Sequence, residues 1–418
     1  MQINSSKADF TYGFQSWRIP SGCLCLIAAM LLGIWLWLNY VYVKQLGVFE
    51  SCGIDYALFV TGSRLVFSDQ PMQVFNRDAI AKELRGYAIY YGKTEPGDYQ
   101  IGPLPYPVPM FWLYRPFSFF DPISGFKLWA IVNLVIATVV LWQIAAPLGG
   151  LRAVAVTALA LCFPPLVAGI FFGQPVVVLV LALFLAYRKL QQGKDFQAGL
   201  WAGVLFLKMQ YPLVLALILA IHHRWQAVAG MALTGGLLLA ASLITCGFGW
   251  IPAYLQTVQA MSGFREVDPI LWPSTMINWR GFLVRQTLLP EELGKQITLL
   301  LSVLTIASLL LIWRGPWQPT HPRFSLRFLA TFLVTLLAAI HSHIHGGALL
   351  LVPALEFLVA GSRPRYLRYL LIGCYLVNIF TVWRTSWSTT SATVAHASLV
   401  VCLLAILFWE LRSKSNQM

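Results

Sequence analysis

Charge is what this sequence has least of. Only 11% of its 418 residues are charged, and carboxylates are the scarcest, with 16 Asp and Glu against 29 Lys and Arg. An ordinary soluble domain carries about 25% charged residues. With 58% hydrophobic residues and a mean hydropathy of +0.70, the composition excludes a soluble domain and a disordered chain. It leaves an integral membrane protein. Cysteine is sparse as well: there are seven, an odd number, with no CxxC pair. Six of them (Cys23, Cys25, Cys162, Cys246, Cys374, Cys402) fall in apolar segments, where a thiol behaves as a small hydrophobe. Neither a disulfide framework nor a cysteine metal site follows. The net charge of +13 comes from basic residues scattered singly between apolar runs, a pattern of membrane topology rather than nucleic-acid binding. No sequence repeat, low-complexity linker or nucleotide-binding fold is visible.

Long apolar runs supply what is there. A spanning helix needs about 17–25 apolar residues. The first run, 21–43, is too long for a signal-peptide core and has no small-residue cleavage site, so it reads as an uncleaved helix. Further spans are expected at 126–146, 152–171, 174–188, 226–248, 296–313, 325–341, 345–360, 366–383 and 393–411. The stretch 104–119 is apolar but broken by prolines, which suits an interfacial or re-entrant element. The stretch 197–221 carries Lys208 at its centre and Pro212 just beyond, as one kinked helix or as two short helices meeting at KMQYP.

Charge bookkeeping favours the two short helices. About twelve crossings with both termini inside put 15 Lys/Arg and 3 Asp/Glu on the inner side, and 12 of each on the outer side. That asymmetry is the one the positive-inside rule demands. The expected architecture is therefore an all-α polytopic domain over 21–411, between a cytoplasmic N-terminus (1–20) and a cytoplasmic tail (412–418). Its large outer loops are 44–125 and 249–295, and each arm of the 197–221 pair reaches about half-way through a bilayer.

Few polar residues remain to carry chemistry. Asp55, in SCGIDYALF, stands where the chain leaves the first apolar run. It reads either as a helix N-cap or as a general base over the membrane surface, two roles that are compatible. Lys208, deep in the apolar region, needs a partner and can meet a phosphate, with Gln210 and Tyr211 offering neutral hydrogen bonds beside it. Gln174, in the GQP turn at 173–175, offers an amide at a cavity mouth. His341, His343 and His345 line the outer end of a helix pair. With no acidic or cysteine ligand nearby they read as polar lining with acid–base capacity, with His341 and His345 on one helix face, rather than as a metal site. Arg280, framed by Asn278 and Trp279 in an outer loop, suits bidentate phosphate binding, whereas Arg64 reads as a solvated charge.

The order of these features resembles one family. It comprises an outer-loop Asp in GxDY, YPVP at 106–109 followed by RPFSFF and Trp129, FFGQ, AGL…GV…LK…P ending in HHRW, and an Asn/Arg loop. This set is similar to glycosyltransferase family 87 within the GT-C superfamily, over most of residues 20–360. The resemblance implies a bacterial inner-membrane enzyme with an extracytoplasmic active site. Such enzymes move a hexose, typically mannose, from a polyprenyl-phosphate donor to a lipid or glycan acceptor. It implies no cofactor, and its partners are the lipid-linked donor, the acceptor and membrane lipids, with no nucleic acid. Asp55 maps onto the family's catalytic acid in the first outer loop, and Lys208 onto its lysine after the AGL stretch. Two departures stand out: Met209, Gln210 and Tyr211 separate Lys208 from Pro212, and no DxD pair accompanies Asp55.

On that reading Asp55, assisted or replaced by His343 or His345, takes the acceptor proton, while Lys208, Arg280 and Gln174 hold the donor phosphate. Gln210, Tyr211, His341 and Asn278 line the cavity, no metal is held, and a single convincing carboxylate points to inversion. The competing classes are a transporter or lipid flippase, disfavoured by the long unequal loops and absent repeat, and a non-catalytic scaffold.

Overall fold

A computed structural model describes residues 20, 22–23, 25–33, 53–88, 104–260, 273–286, 289–360, 364–385 and 388–415. The described residues are helical almost throughout, and the one β-feature among them is an isolated bridge between Met276 and His343. Of the expected first helix, 21–43, the described portion lies within 22–33. The remaining part of that segment lies outside the described residues, as do 89–103 with Tyr90, Tyr91 and Tyr99, and 261–272 of the second outer loop.

Among the described residues four helices are long and apolar enough to cross a membrane: Pro122–Leu148, Trp225–Cys246, Glu291–Ile312 and Thr389–Arg412. The expected single span at 152–171 is a bent pair, Gly150–Leu161 and Pro164–Phe172, turned by 59° at its break, and brings the number to five if it crosses as one. The bend has a covalent cause. Phe163 precedes Pro164–Pro165, and a residue before proline is pushed out of the helical region. The other expected helices form at nearly the expected positions but are shorter or more polar. Val176–Gln191 and Arg323–Ala338 have 16 residues each, or about 24 Å of helix.

Both ambiguous stretches resolve. Residues 104–119 form two short turns, Val108–Trp112 and Arg115–Phe119, and do not span. Residues 197–221 form two short arms, Asp195–Gly203 running on to Leu207, and Pro212–Ile221, which meet at Lys208. The first arm lies against Trp225–Cys246 at backbone contact. A Cβ on Gly199 would come within 2.0 Å of the Ala227 carbonyl oxygen, and one on Gly230 within 2.3 Å of the Phe196 oxygen. Small residues at such spacing let apolar helices approach without an aqueous driving force, and here that packing fixes where the Lys208 turn sits.

Ion pairs gather at the ends of the helices remote from that turn. Arg188 meets Glu356 at 2.9 Å, Arg224 meets Asp195, and Arg327 meets Glu410 at 3.2 Å. Arg188 is fourteen residues beyond Gln174 along the same helical run, about 20 Å away.

Candidate active site

The Ile54–Val66 helix positions the carboxylate. Gly53, with φ of 75°, is its N-cap and makes no side-chain capping bond, so Asp55 sits one residue inside the helix and does not cap it. The capping alternative for Asp55 is thereby corrected: Gly53 takes the left-handed position, and the carboxylate is left for other partners. The first turn of this helix is pinned to the FFGQP turn. Gly53 N–H donates to the Phe171 carbonyl at 2.8 Å. Gly173 (φ 79°) lies so close that an added Cβ would stand 2.3 Å from the Tyr56 Cβ. Left-handed backbone and close approach both require glycine there. The Tyr114 hydroxyl donates to the Gly173 carbonyl at 2.7 Å while its ring stacks on Trp129 at 4.4 Å and Phe59 at 4.7 Å. Tyr114, which lies between the YPVP and RPFSFF motifs, thus holds the Gln174 turn beside the Asp55 helix with Trp129 and Phe59 on its ring.

The result is a continuous polar chain through an apolar interior. Gln174 donates from Nε2 to Asp55 Oδ2 at 2.7 Å and accepts at Oε1 from Lys208 Nζ, also at 2.7 Å. Lys208 Nζ then lies 3.2 Å from His345 Nε2. An ammonium has donors only, so His345 Nε2 accepts and the ring proton belongs on Nδ1. Gln174 and Lys208 are 2% and 3% exposed, whereas Asp55 is half-buried and keeps some accessible surface. The amide keeps the two charges no more than about 8 Å apart without letting them collapse into an ion pair. Tyr106 completes the enclosure. Its ring faces Lys208 Nζ at 5.7 Å and Phe59 at 4.8 Å, and its phenol lies against Gln174 and Asp55.

Burial raises the Asp55 carboxyl above the ordinary carboxylate range, and the Gln174 hydrogen bond and the Lys208 charge oppose that rise. The Tyr106 phenol is held far above its usual value, first by burial and then by the Asp55 charge, so it stays a proton donor.

The histidines are arranged differently from the helix face expected of them. The preceding helix ends at Ala338, and residues 339–343 are irregular backbone bridged to 276–277, with Ile277 N–H donating to the Ser342 carbonyl at 2.8 Å. A 3-10 helix then starts at Ile344, and within it Gly346 packs under the Tyr211 hydroxyl and Gly347 against Pro165. His341 and His343 lie edge to face at 4.7 Å, and His343 and His345 are 5.9 Å apart. His343 Nδ1 is 3.2 Å from the Thr275 hydroxyl. Burial, then the neighbouring His343, Lys208 and Arg280, keep the loop His341 neutral at pH 7. Among the described residues no group of three His, Cys, Asp or Glu side chains is placed to hold a metal ion.

Around this chain the remaining residues are mostly straps. Asn278 caps the Trp279–Val284 helix through Gly281 N–H at 2.8 Å, and donates to the carbonyls of Ala339 and Ile340 at 2.7 and 3.0 Å. Gln210 donates to the His341 carbonyl at 3.2 Å, and Tyr211 is fully enclosed beneath Gly346. The residues inserted between Lys208 and Pro212 therefore tie the lysine turn to the histidine loop. Arg280 is 4% exposed, in the electrostatic reach of His341 and Glu291. Arg64, expected to be solvated, is half-buried and bonds Glu83 and the Ser118 carbonyl, each at 3.4 Å. Tyr106 opens the YPVP motif and joins the site only through the fold. Its place before a proline, in an apolar segment otherwise short of hydroxyls, was the available signal.

The model of glycosyltransferase family 87 matches residues 104–342. The chain belongs to glycosyltransferase family 87. The matched segment holds Gln174, Lys208, Asn278, Arg280 and His341, and Asp55 precedes it. No curated protein and no solved structure matches the chain. As a family member with apolar spanning helices, it is a membrane glycosyltransferase.

Proposed function

We propose that this family 87 glycosyltransferase transfers a hexose, with mannose the first candidate, from a polyprenyl-phosphate donor to a hydroxyl of a lipid or glycan acceptor. The observation that carries the reading is the buried chain Asp55–Gln174–Lys208–His345. It provides a half-buried carboxylate and a cation one amide away. A transfer from a lipid phosphate needs that pair. The ionised Asp55 accepts the acceptor O–H proton as the oxygen bonds to the anomeric carbon. The bond from that carbon to the phosphate oxygen breaks, and its electron pair leaves with the phosphate, whose charge Lys208 and Arg280 stabilise. Among the described residues no second carboxylate stands beside Asp55, which supports single displacement with inversion, since a glycosyl-enzyme route needs a second carboxylate.

Asp55 is preferred over the histidines as base. His345 Nε2 is engaged by Lys208, so His345 acts by orienting the ammonium, and His343 shares Nδ1 with Thr275. The wider reading has about twelve crossings in a GT-C arrangement, both termini cytoplasmic, the site on the outer face of a bacterial inner membrane, and no metal or other cofactor. The basic excess of the connecting segments at the Arg188 and Arg224 end supports that sidedness.

The test uses the purified protein in lipid nanodiscs with polyprenyl-phosphate carrying radiolabelled mannose and a crude lipid extract as acceptor. Label appearing in the acceptor, with release of one carrier phosphate per transfer, is the expected result. Binding of the donor without any transfer, or transfer from a nucleotide sugar instead, would overturn it.

A further inference from the structure

A cavity of about 1280 Å³ lies beside the site rather than at it. Its walls come from the bent Gly150–Phe172 pair, from Ile344–Val359, and from the Arg365–Thr385 and Thr389–Ser415 helices. Residues Cys23, Ile27 and Leu31 of the 22–33 helix also line it. The lining is aliphatic along its length, with Leu333, Leu355, Leu371 and Leu399 among the wall residues. Its two ends differ. Ile277, Ile344 and Gly347, neighbours in sequence of Asn278 and His345, line one end. Arg152, Arg365 and Arg368 line the other.

Packing shows that these three arginines share an end. The Tyr375 hydroxyl donates to the Leu159 carbonyl at 2.6 Å and the Tyr375 ring stacks on Phe163 at 6.1 Å. On the Thr389–Ser415 helix, His396 meets the Ile277 carbonyl at the site end. Asn378 bonds Ser398 and Cys374 meets Cys402, so Arg365–Thr385 runs from its arginines towards the site. Pro165 packs on Gly347 at that same end, which leaves Arg152 remote from it too. The opposite wall, Ile344 to Val359, comprises seven residues of 3-10 helix and nine of α-helix. It separates the two ends by about 25 Å. That length accommodates an acyl chain, which ordinarily covers half of the roughly 30 Å hydrocarbon core.

Arg368 is the unusual member. It is 6% exposed, yet among the described residues no carboxylate or hydrogen-bond acceptor pairs with it. Other arginines at this end of the molecule have their anions: the half-buried Arg188 has Glu356 and Arg224 has Asp195, and the buried Arg327 has Glu410. The neighbours of Arg368 instead include Arg365 and Tyr369, and Arg152 lines the same cavity. A guanidinium without an anion, left facing an apolar cavity, is costly. A planar fork of donors is best satisfied by a phosphate.

We infer that the cavity holds an anionic phospholipid. Its phosphate sits on Arg152, Arg365 and Arg368, and an acyl chain runs along the aliphatic wall towards Ile344. This lipid is distinct from the sugar donor, whose phosphate belongs at Lys208 beyond the opposite end, so the inference stands whether or not the donor reading does.

Native mass spectrometry of the detergent-purified protein tests it, with phosphatidylglycerol and phosphatidylcholine of identical chains as probes. The wild type should retain phosphatidylglycerol at least about tenfold more strongly than phosphatidylcholine, the scale of one charge-assisted contact. Arg368→Gln, and independently Arg152→Gln on another helix, should lose most of that preference while melting as folded proteins. Arg368→Lys should keep part of it, and Lys208→Gln all of it. Equal retention of both lipids, or a preference unchanged in both arginine variants, would overturn the inference. So would displacement of phosphatidylglycerol by polyprenyl phosphate in the Lys208→Gln protein, which would assign the cavity to the donor's chain.

Discussion

Replacing Gln174 by leucine, close in volume but without the amide, removes both bonds that link Asp55 to Lys208. Each is a hydrogen bond to a charged group, worth about 1.5–3 kcal/mol. If turnover requires only one of the two charges to be held in place, the rate falls by about 10- to 150-fold, at 1.36 kcal/mol per decade. The pH profile adds a sign. Burial already raises the Asp55 carboxyl above its usual range, and the Gln174 bond is one of the two influences that hold it down. A base works ionised, so activity is lost as pH falls through that raised value. Without Gln174 the acid limb should move further up, by about one to two pH units for the same bond energy. The assay is transfer of radiolabelled hexose as a function of pH, with equilibrium donor binding measured alongside. An acid limb that stays put or moves down would refute the reasoning, because it would mean that Asp55 falls onto Lys208 directly and the amide is no spacer.

Other substitutions separate the site from its scaffold. Lys208→Gln should lower kcat by about 10²–10³, the loss typical of a removed transition-state donor, with the decrease read in single-turnover transfer at saturating donor. Asn278→Ala removes a helix cap and two ties to the histidine loop. It should cost about 1–2 kcal/mol in thermal unfolding and, unlike a remote cap, also slow transfer. Glu410→Gln leaves the enclosed Arg327 without its carboxylate. It should cost about 3–5 kcal/mol of stability while leaving kcat per folded molecule unchanged, since this pair lies at the end of the helices remote from Lys208.

The sequence made some of this arrangement legible and concealed the rest for identifiable reasons. Lys208 was conspicuous because a cation within an apolar run has to be explained, and the proline four residues later marked the break between two short arms. Charge asymmetry then chose the broken pair over one kinked helix, as the structure has it. The histidine loop was misread as helix because spacing of two and four cannot distinguish a helix face from irregular backbone. The deciding partners, Met276 and Ile277, lie more than sixty residues away in sequence. Gln174 was visible as an amide in a turn, but its bridging role depends on how closely Gly173 admits the Tyr56 backbone. No local pattern encodes that approach. The bend at Phe163 was in principle readable from the Pro164–Pro165 pair, and the hydropathy of the run hid it.

The central claim is that Asp55 is the base, held in place by Gln174 with Lys208 behind it. Its most direct test is single-turnover transfer in Asp55→Asn, measured at donor saturation beside wild type, with donor binding determined separately. The account predicts that the variant binds donor as wild type does, loses transfer by at least about 10²-fold, the lower end of which general-base assistance typically accounts for, and loses the acid limb of the pH profile. Transfer at wild-type rate in that variant, with the acid limb intact, would contradict it and move the proton to the histidine loop.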